Sequence, residues 1–184
     1  SFILYSSFLL SLNMVNTFLP FADFKSSAKV LDMKRLGKQR CEAHQILNVL
    51  INPEAKGWKN HPAVKMWKGY EDALRLYFNA MVTEWVNRGY NNNYQLLEIS
   101  SKVKMPWWLG KEDFHRCHQS SLIRKNPEYY TDKFPDINPK YHKMGYVWPY
   151  SIIKVIRTND NIKYERRLFL NYAPVSNNKK IKTS

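Results

Sequence analysis

Acidic residues are scarce in this chain, and cysteine is scarcer. Two cysteines, Cys41 and Cys117, stand among 184 residues, too few for a disulfide framework and in keeping with a reducing compartment. His44 follows Cys41 by three positions, and His115 and His118 flank Cys117, but the spacing matches none of the common zinc patterns. Neither a metal nor an organic cofactor is therefore expected. Long apolar runs are also missing. The uncharged opening SFILYSSFLLSLN is too short to span a bilayer, and it lacks the basic n-region and small-residue cleavage site of a secretory signal. Residues 1–13 read instead as an upstream extension, with Met14 as the expected start. There is no internal repeat, and no Gly-rich phosphate loop, Gly-x-Ser-x-Gly elbow or His-Glu-x-x-His pair. The enzyme classes that those motifs mark are set aside.

What is abundant is positive charge. Twenty-nine Lys and Arg face 15 Asp and Glu, giving a formal net charge of +14 and a pI of about 9.7. Such an excess points to a polyanionic partner. Aromatic residues are interleaved with the basic ones, as in GWKNHPAVKMWKGY and VKMPWWLGK. Ring faces stack on bases while cations hold phosphates, so nucleic acid is favoured over a membrane surface. The cations are spread over several segments and do not line one strongly amphipathic helix, which argues the same way. A Trp- and Tyr-rich core beneath a solvated basic face is the plain alternative, and the two are compatible.

Helical periodicity predicts a first helix over residues 26–51, with Leu36, Ala43, Leu47 and Leu50 as its apolar stripe and Ser26 or Ser27 as its cap. At 100° per residue, Arg35, Gln39, Glu42 and Ile46 share one flank of that stripe. Glu42 is thus a carboxylate at the edge of a buried face, in a run of cations: Lys34, Arg35, Lys38 and Arg40. It is either half of a salt bridge or a catalytic group, and the neighbouring arginines are expected to hold it ionised. Pro62 and Gly89 bracket a second helix, in which Val64, Trp67, Tyr70, Leu74, Tyr77, Met81 and Trp85 recur at core spacing. A third helix covers 112–125, with a loop before it. SIIKVIR and IKYERRLFL around TNDN form a two-strand pattern, and SNNKKIKTS reads as a basic tail.

Four blocks in order carry a resemblance: LDMKRLGKQRCE, GWKNHPAVKMWKGYEDAL, FHRCHQSSLIRKNPEYY and GYVWPY. Together they resemble the phage-type pyrimidine dimer DNA glycosylases, the endonuclease V-like enzymes, over residues 14–150. The resemblance implies a mainly α fold, a compact single domain of about three helices with long loops. A C-terminal β-hairpin remains an option, and residues 151–184 form an extension. It implies cleavage of the glycosidic bond of a cyclobutane pyrimidine dimer and nicking at the resulting abasic site. In such enzymes the α-amine of the mature N-terminus forms a Schiff base with the deoxyribose and one Glu assists. Carried over, these are Val15, exposed by removal of Met14, and Glu42. An α-amine has a pKa of roughly 7.7–8.0, so it is partly neutral at physiological pH.

The DNA-facing set implied is Asn16, Arg35, Lys38, Arg40, His61, Lys65, His115, His118, Arg124 and Lys125. For His61 a helix cap is an equal reading, and His115 and His118 read equally as core. Trp107 and Trp108 read as packing or as a stacking wedge. Three family positions that are basic stand here as Asn16, Cys41 and Gln45. The partner expected is damaged double-stranded DNA, bound by a monomer with no membrane association, in the cytoplasm or with the nucleoid or nucleus. A non-catalytic basic nucleic-acid-binding domain, and a glycosylase for another base lesion, are the alternatives.

Overall fold

A computed structural model describes residues 15–55, 57–159 and 161–172. The expected extension 1–13, Met14 and the basic tail 176–184 lie outside the described residues. Contacts divide the chain into two units, one ending at Gly110 and the other beginning at Lys111. The boundary expected near residue 150 falls inside a β-strand. The described residues are mainly helical, with three long helices and a C-terminal hairpin, as the sequence predicts.

In the first unit, the helix expected over 26–51 is two helices: α1 (Phe24–Val30) and α2 (Met33–Ile51). The break has a local cause. Leu31 and Asp32 take extended backbone, and the Asp32 carboxylate caps α2 by accepting from the Arg35 N–H at 2.9 Å. Neither Ser26 nor Ser27 is the cap of α1; Asp23 is, accepting from the Ser26 N–H at 2.7 Å. The orphaned carbonyls at the end of α1 are met by Arg88, whose guanidinium reaches Leu31 O at 2.7 Å and Lys29 O at 2.9 Å.

The second expected helix also divides, into α3 (Pro62–Lys65) and α4 (Glu71–Asn87). Gly69 breaks it, with φ of +83°, a left-handed conformation that only glycine adopts freely. Leu36, Ala43, Ile46 and Leu47 of α2 are buried, as are Leu74, Tyr77, Phe78 and Met81 of α4, and the two helices pack together. Gly37 permits the approach, because a Cβ there would lie 3.0 Å from the Trp85 ring. Of the expected core positions, Tyr70 and Trp85 are only half-buried. Trp108 is buried edge-on to Trp67, with ring centroids 5.0 Å apart, and so is packing; Trp107 is half-buried.

In the second unit, α5 (Glu112–Lys125) is followed by α6 (Pro127–Tyr130). Phe114, Cys117, Leu122, Tyr130, Phe134 and Tyr141 form its buried core. The chain then runs into an antiparallel ribbon, β1 (Val147–Thr158) and β2 (Asn161–Tyr172), paired from Val147↔Tyr172 to Thr158↔Asn161. The ribbon begins four residues earlier than the pattern indicates. Pro149 is accommodated because each strand of a two-stranded ribbon is an edge.

Candidate active site

The segment before α1 folds back without regular secondary structure, with Val15 to Pro20 all buried inside the first unit. What holds it there is polar. Trp67 Nε1 donates to Thr17 Oγ1 at 3.0 Å, and the Phe18 N–H donates to Gln39 Oε1 at 2.8 Å. Gln39 Nε2 donates twice, to Asn16 O at 3.0 Å and to Glu42 Oε2 at 2.9 Å. The Tyr77 hydroxyl lies 2.5 Å from Gln39 Oε1 and 2.8 Å from Phe18 O, closing the far side. The Asn16 main-chain N–H donates to the Glu42 carboxylate. The amino-terminal end of the described chain and the Glu42 side chain are thereby fixed to each other through one glutamine and one amide. The Gln39 amide has its oxygen and both its N–H groups paired, and a fully satisfied buried group of this kind sets geometry.

Glu42 is 7% exposed. Burial raises its pKa above the usual carboxylate value, against the opposing pull of Lys38, the Asn16 N–H and Gln39. The expected arginine neighbours are not its partners. Its ion pair is with Lys38, whose Nζ is 3.4 Å from Oε1 and whose side chain is largely in solvent. Arg35 pairs with Asp32 at 2.8 Å. Arg40 lies over the Trp85 ring, 3.9 Å from its centroid, and donates to Asn92 Oδ1 at 2.8 Å. Both arginines project from the helix at angles that serve the fold, and the expectation that they hold Glu42 ionised is corrected. A buried carboxyl with a raised pKa gives up and takes back a proton nearer neutrality than an exposed one does. Tyr77, fully buried next to it, has its pKa raised by the same burial.

Asn16 is also buried, at 1% exposure. Neither polar atom of its side chain has a hydrogen-bond partner among the described residues. Orphaned amide groups of this kind are uncommon in folded chains.

The remaining expected residues are distributed. His61 caps α3, its Nδ1 accepting from the Ala63 N–H at 3.0 Å. Lys65 is exposed and, with Lys59 and Lys68, lines a cleft of about 270 Å³ against Val49 and Leu50. His115, His118, Arg124 and Lys125 belong to the second unit. His115 and His118 are buried beside Phe114, and burial lowers the His118 pKa to about 3. Arg124 donates to Ser121 Oγ at 2.8 Å and Ser120 Oγ at 3.0 Å. The structure thus brings together Val15, Asn16, Lys38 and Glu42. Gln39 and Tyr77, which by sequence are helix flank and core, are also site residues. The i, i+3 spacing of Gln39 and Glu42 on one flank was the available signal.

A family model described as pyrimidine dimer DNA glycosylase matches residues 15–98. The matched stretch runs from the buried amino-terminal segment through α4 into the following loop. The blocks at 114–130 and 145–150 lie outside it. No curated protein and no solved structure matches the chain.

Proposed function

We propose that the protein excises pyrimidine dimers and nicks the strand, with the α-amine of Val15 as nucleophile and Glu42 as its acid–base partner; the match of residues 15–98 to the pyrimidine dimer DNA glycosylase model supports this reading. The observation that carries this reading is the Gln39 amide, whose Nε2 lies 3.0 Å from Asn16 O and 2.9 Å from Glu42 Oε2. It ties the segment that begins at Val15 to the carboxyl that would serve its nitrogen.

The chemistry then runs in three steps. The neutral amine attacks C1′ of the deoxyribose; the N–C1′ bond forms as the glycosidic bond breaks and its electron pair leaves with the base. The attached ammonium gives a proton to the Glu42 carboxylate, and the freed nitrogen lone pair then opens the sugar to an iminium as the C1′–O4′ bond breaks and O4′ takes that proton from Glu42. The Glu42 carboxylate finally removes a proton from C2′, and the 3′ phosphate departs by β-elimination. Burial serves both roles of Glu42, because a raised pKa favours proton donation and a water-poor site strengthens the attraction between carboxylate and iminium. The Asn16 amide, with donor and acceptor both uncommitted, is suited to a sugar oxygen. Lys38, half in solvent, is suited to a phosphate.

Nicking of ultraviolet-irradiated supercoiled DNA tests the reading. The chain beginning at Val15 is expected to relax irradiated plasmid and to leave untreated plasmid intact. Prior photoreversal of the dimers is expected to abolish the nicking. Nicking that survives photoreversal would move the substrate to another lesion, and no nicking of either DNA would leave a binding domain.

A further inference from the structure

The β1–β2 ribbon lies beyond the matched family segment and has an unusual surface. Each strand is 12 residues long, about 40 Å at roughly 3.4 Å per residue. A two-stranded ribbon alone is marginal in water, yet along most of its length this one is exposed on both faces. Val155, Ile162 and Tyr164 are 46%, 58% and 69% exposed. Such an element is built to be covered.

Its charges say by what. The two strands carry five cations, Lys154, Arg157, Lys163, Arg166 and Arg167, against one carboxylate, Glu165. Glu165 pairs with Arg167 at 3.4 Å. The other four cations have no carboxylate within ion-pair distance among the described residues. Three of the four stand opposite apolar residues in the register, Arg157 opposite Ile162, Lys163 opposite Ile156 and Arg166 opposite Ile153, and Lys154 stands opposite Glu165. Cations therefore line both strands and both faces. Pairing with a second copy through a strand edge would set like charges against one another, and charged edges are a recognised bar to such pairing. A duplex polyanion meets the same surface favourably. The major groove, about 12 Å wide, admits a two-stranded ribbon, and cations on both strands then reach the phosphate rows on either side.

We propose that the ribbon is a second duplex-DNA contact surface, independent of the Glu42 site, that lies in the major groove and holds phosphates through Lys154, Arg157, Lys163 and Arg166. This rests on the reading of the protein as a DNA enzyme only in taking duplex DNA as the polyanion.

The test is the salt dependence of binding to an undamaged duplex of about 20 base pairs, a length that accommodates a ribbon of this size at roughly 1.7 Å of helix axis per charge. The variant Lys154→Thr/Arg157→Thr/Lys163→Thr/Arg166→Thr keeps residues suited to strands. Each phosphate contact contributes about 0.9 to the slope of log affinity against log salt, so the slope is expected to fall by about 3.6. The smaller variant Arg157→Thr/Arg166→Thr is expected to lose about 1.8, and it guards against misfolding of the larger one. A slope unchanged in both variants overturns the proposal. So does a wild-type dimer that the variants dissociate while the slope stays fixed, which would make the ribbon a self-association surface. Nicking of irradiated plasmid, measured alongside, keeps the two readings apart. Nicking with an unchanged slope removes the ribbon alone, and a reduced slope without nicking removes the glycosylase reading alone.

Discussion

Gln39 Nε2 lies 2.9 Å from Glu42 Oε2 and 3.0 Å from the carbonyl oxygen of Asn16. One side-chain amide thus spans the proposed acid–base group and the segment proposed to carry the nucleophile. Its other end is equally committed, with the Phe18 N–H at 2.8 Å and the Tyr77 hydroxyl at 2.5 Å. Gln39 touches no reacting atom in this account; it is a positioning residue.

Gln39→Leu is accordingly expected to cost stability and activity together. It strands the Phe18 N–H and the Asn16 carbonyl in a buried place, at about 1–3 kcal/mol for each group left unpaired. Urea unfolding gives the stability change as a shift in midpoint at constant slope. A loss well below 1 kcal/mol would mean that the segment is held by apolar packing alone.

Glu42→Gln is expected to separate the two quantities. Its ion pair is with an exposed Lys38 at 3.4 Å, and such helix pairs contribute about 0.3–0.5 kcal/mol. Against that small loss, the substitution removes a carboxyl whose charged form burial disfavours. Stability should therefore fall by no more than about 0.5 kcal/mol, or rise, while DNA binding persists and nicking of irradiated DNA stops. A large stability loss with nicking retained would return Glu42 to a structural role.

Arg40→Lys tests whether that residue serves the fold or DNA. Lysine cannot reproduce a planar group stacked 3.9 Å from the Trp85 centroid with a hydrogen bond to Asn92. A destabilisation of about 1–2 kcal/mol is expected, with no change in the salt slope of DNA binding. A reduced slope at unchanged stability would restore Arg40 to the DNA-facing set.

The second unit should be acid-sensitive through His118. Burial, and then the charge of His115, lower its pKa to about 3, whereas an unfolded histidine titrates near 6.5. The fold excludes the proton that the unfolded chain accepts. Its contribution is therefore complete above about pH 6.5 and is lost as pH falls towards 3, by at most about 1.4 kcal/mol per pH unit. Unfolding followed at stepped pH should show that slope, and His118→Gln should flatten it. An equal slope in the variant would assign the acid sensitivity elsewhere.

Periodic apolar spacing carried most of the fold. The residues of α5 and the core positions Val64, Trp67, Leu74, Tyr77 and Met81 follow from it directly. The breaks at Asp32 and Gly69 did not, because a cap and a left-handed glycine interrupt a helix without interrupting the apolar pattern across it. Glu42 was legible as a carboxylate at the edge of a buried face. Its partners were not. The Arg35 and Arg40 side chains go to Asp32 and to the Trp85 ring, contacts made by a cap and by a helix crossing that helical phase alone does not reveal. The closure of residues 15–20 on Gln39 is a long-range polar contact, which no local periodicity encodes.

The central claim is that the α-amine of Val15 is the nucleophile, with Lys38, 3.4 Å from Glu42, as the rival amine on the same helix. Borohydride reduction during reaction with abasic-site DNA fixes any Schiff base as a stable adduct, and peptide mass analysis then locates it. The chain beginning at Val15 is expected to give an adduct on its terminal nitrogen. Methylation confined to that amine at mildly acidic pH, or retention of residues 1–13, is expected to abolish it. An adduct on Lys38, or trapping that proceeds equally well with the amine blocked, would contradict the account.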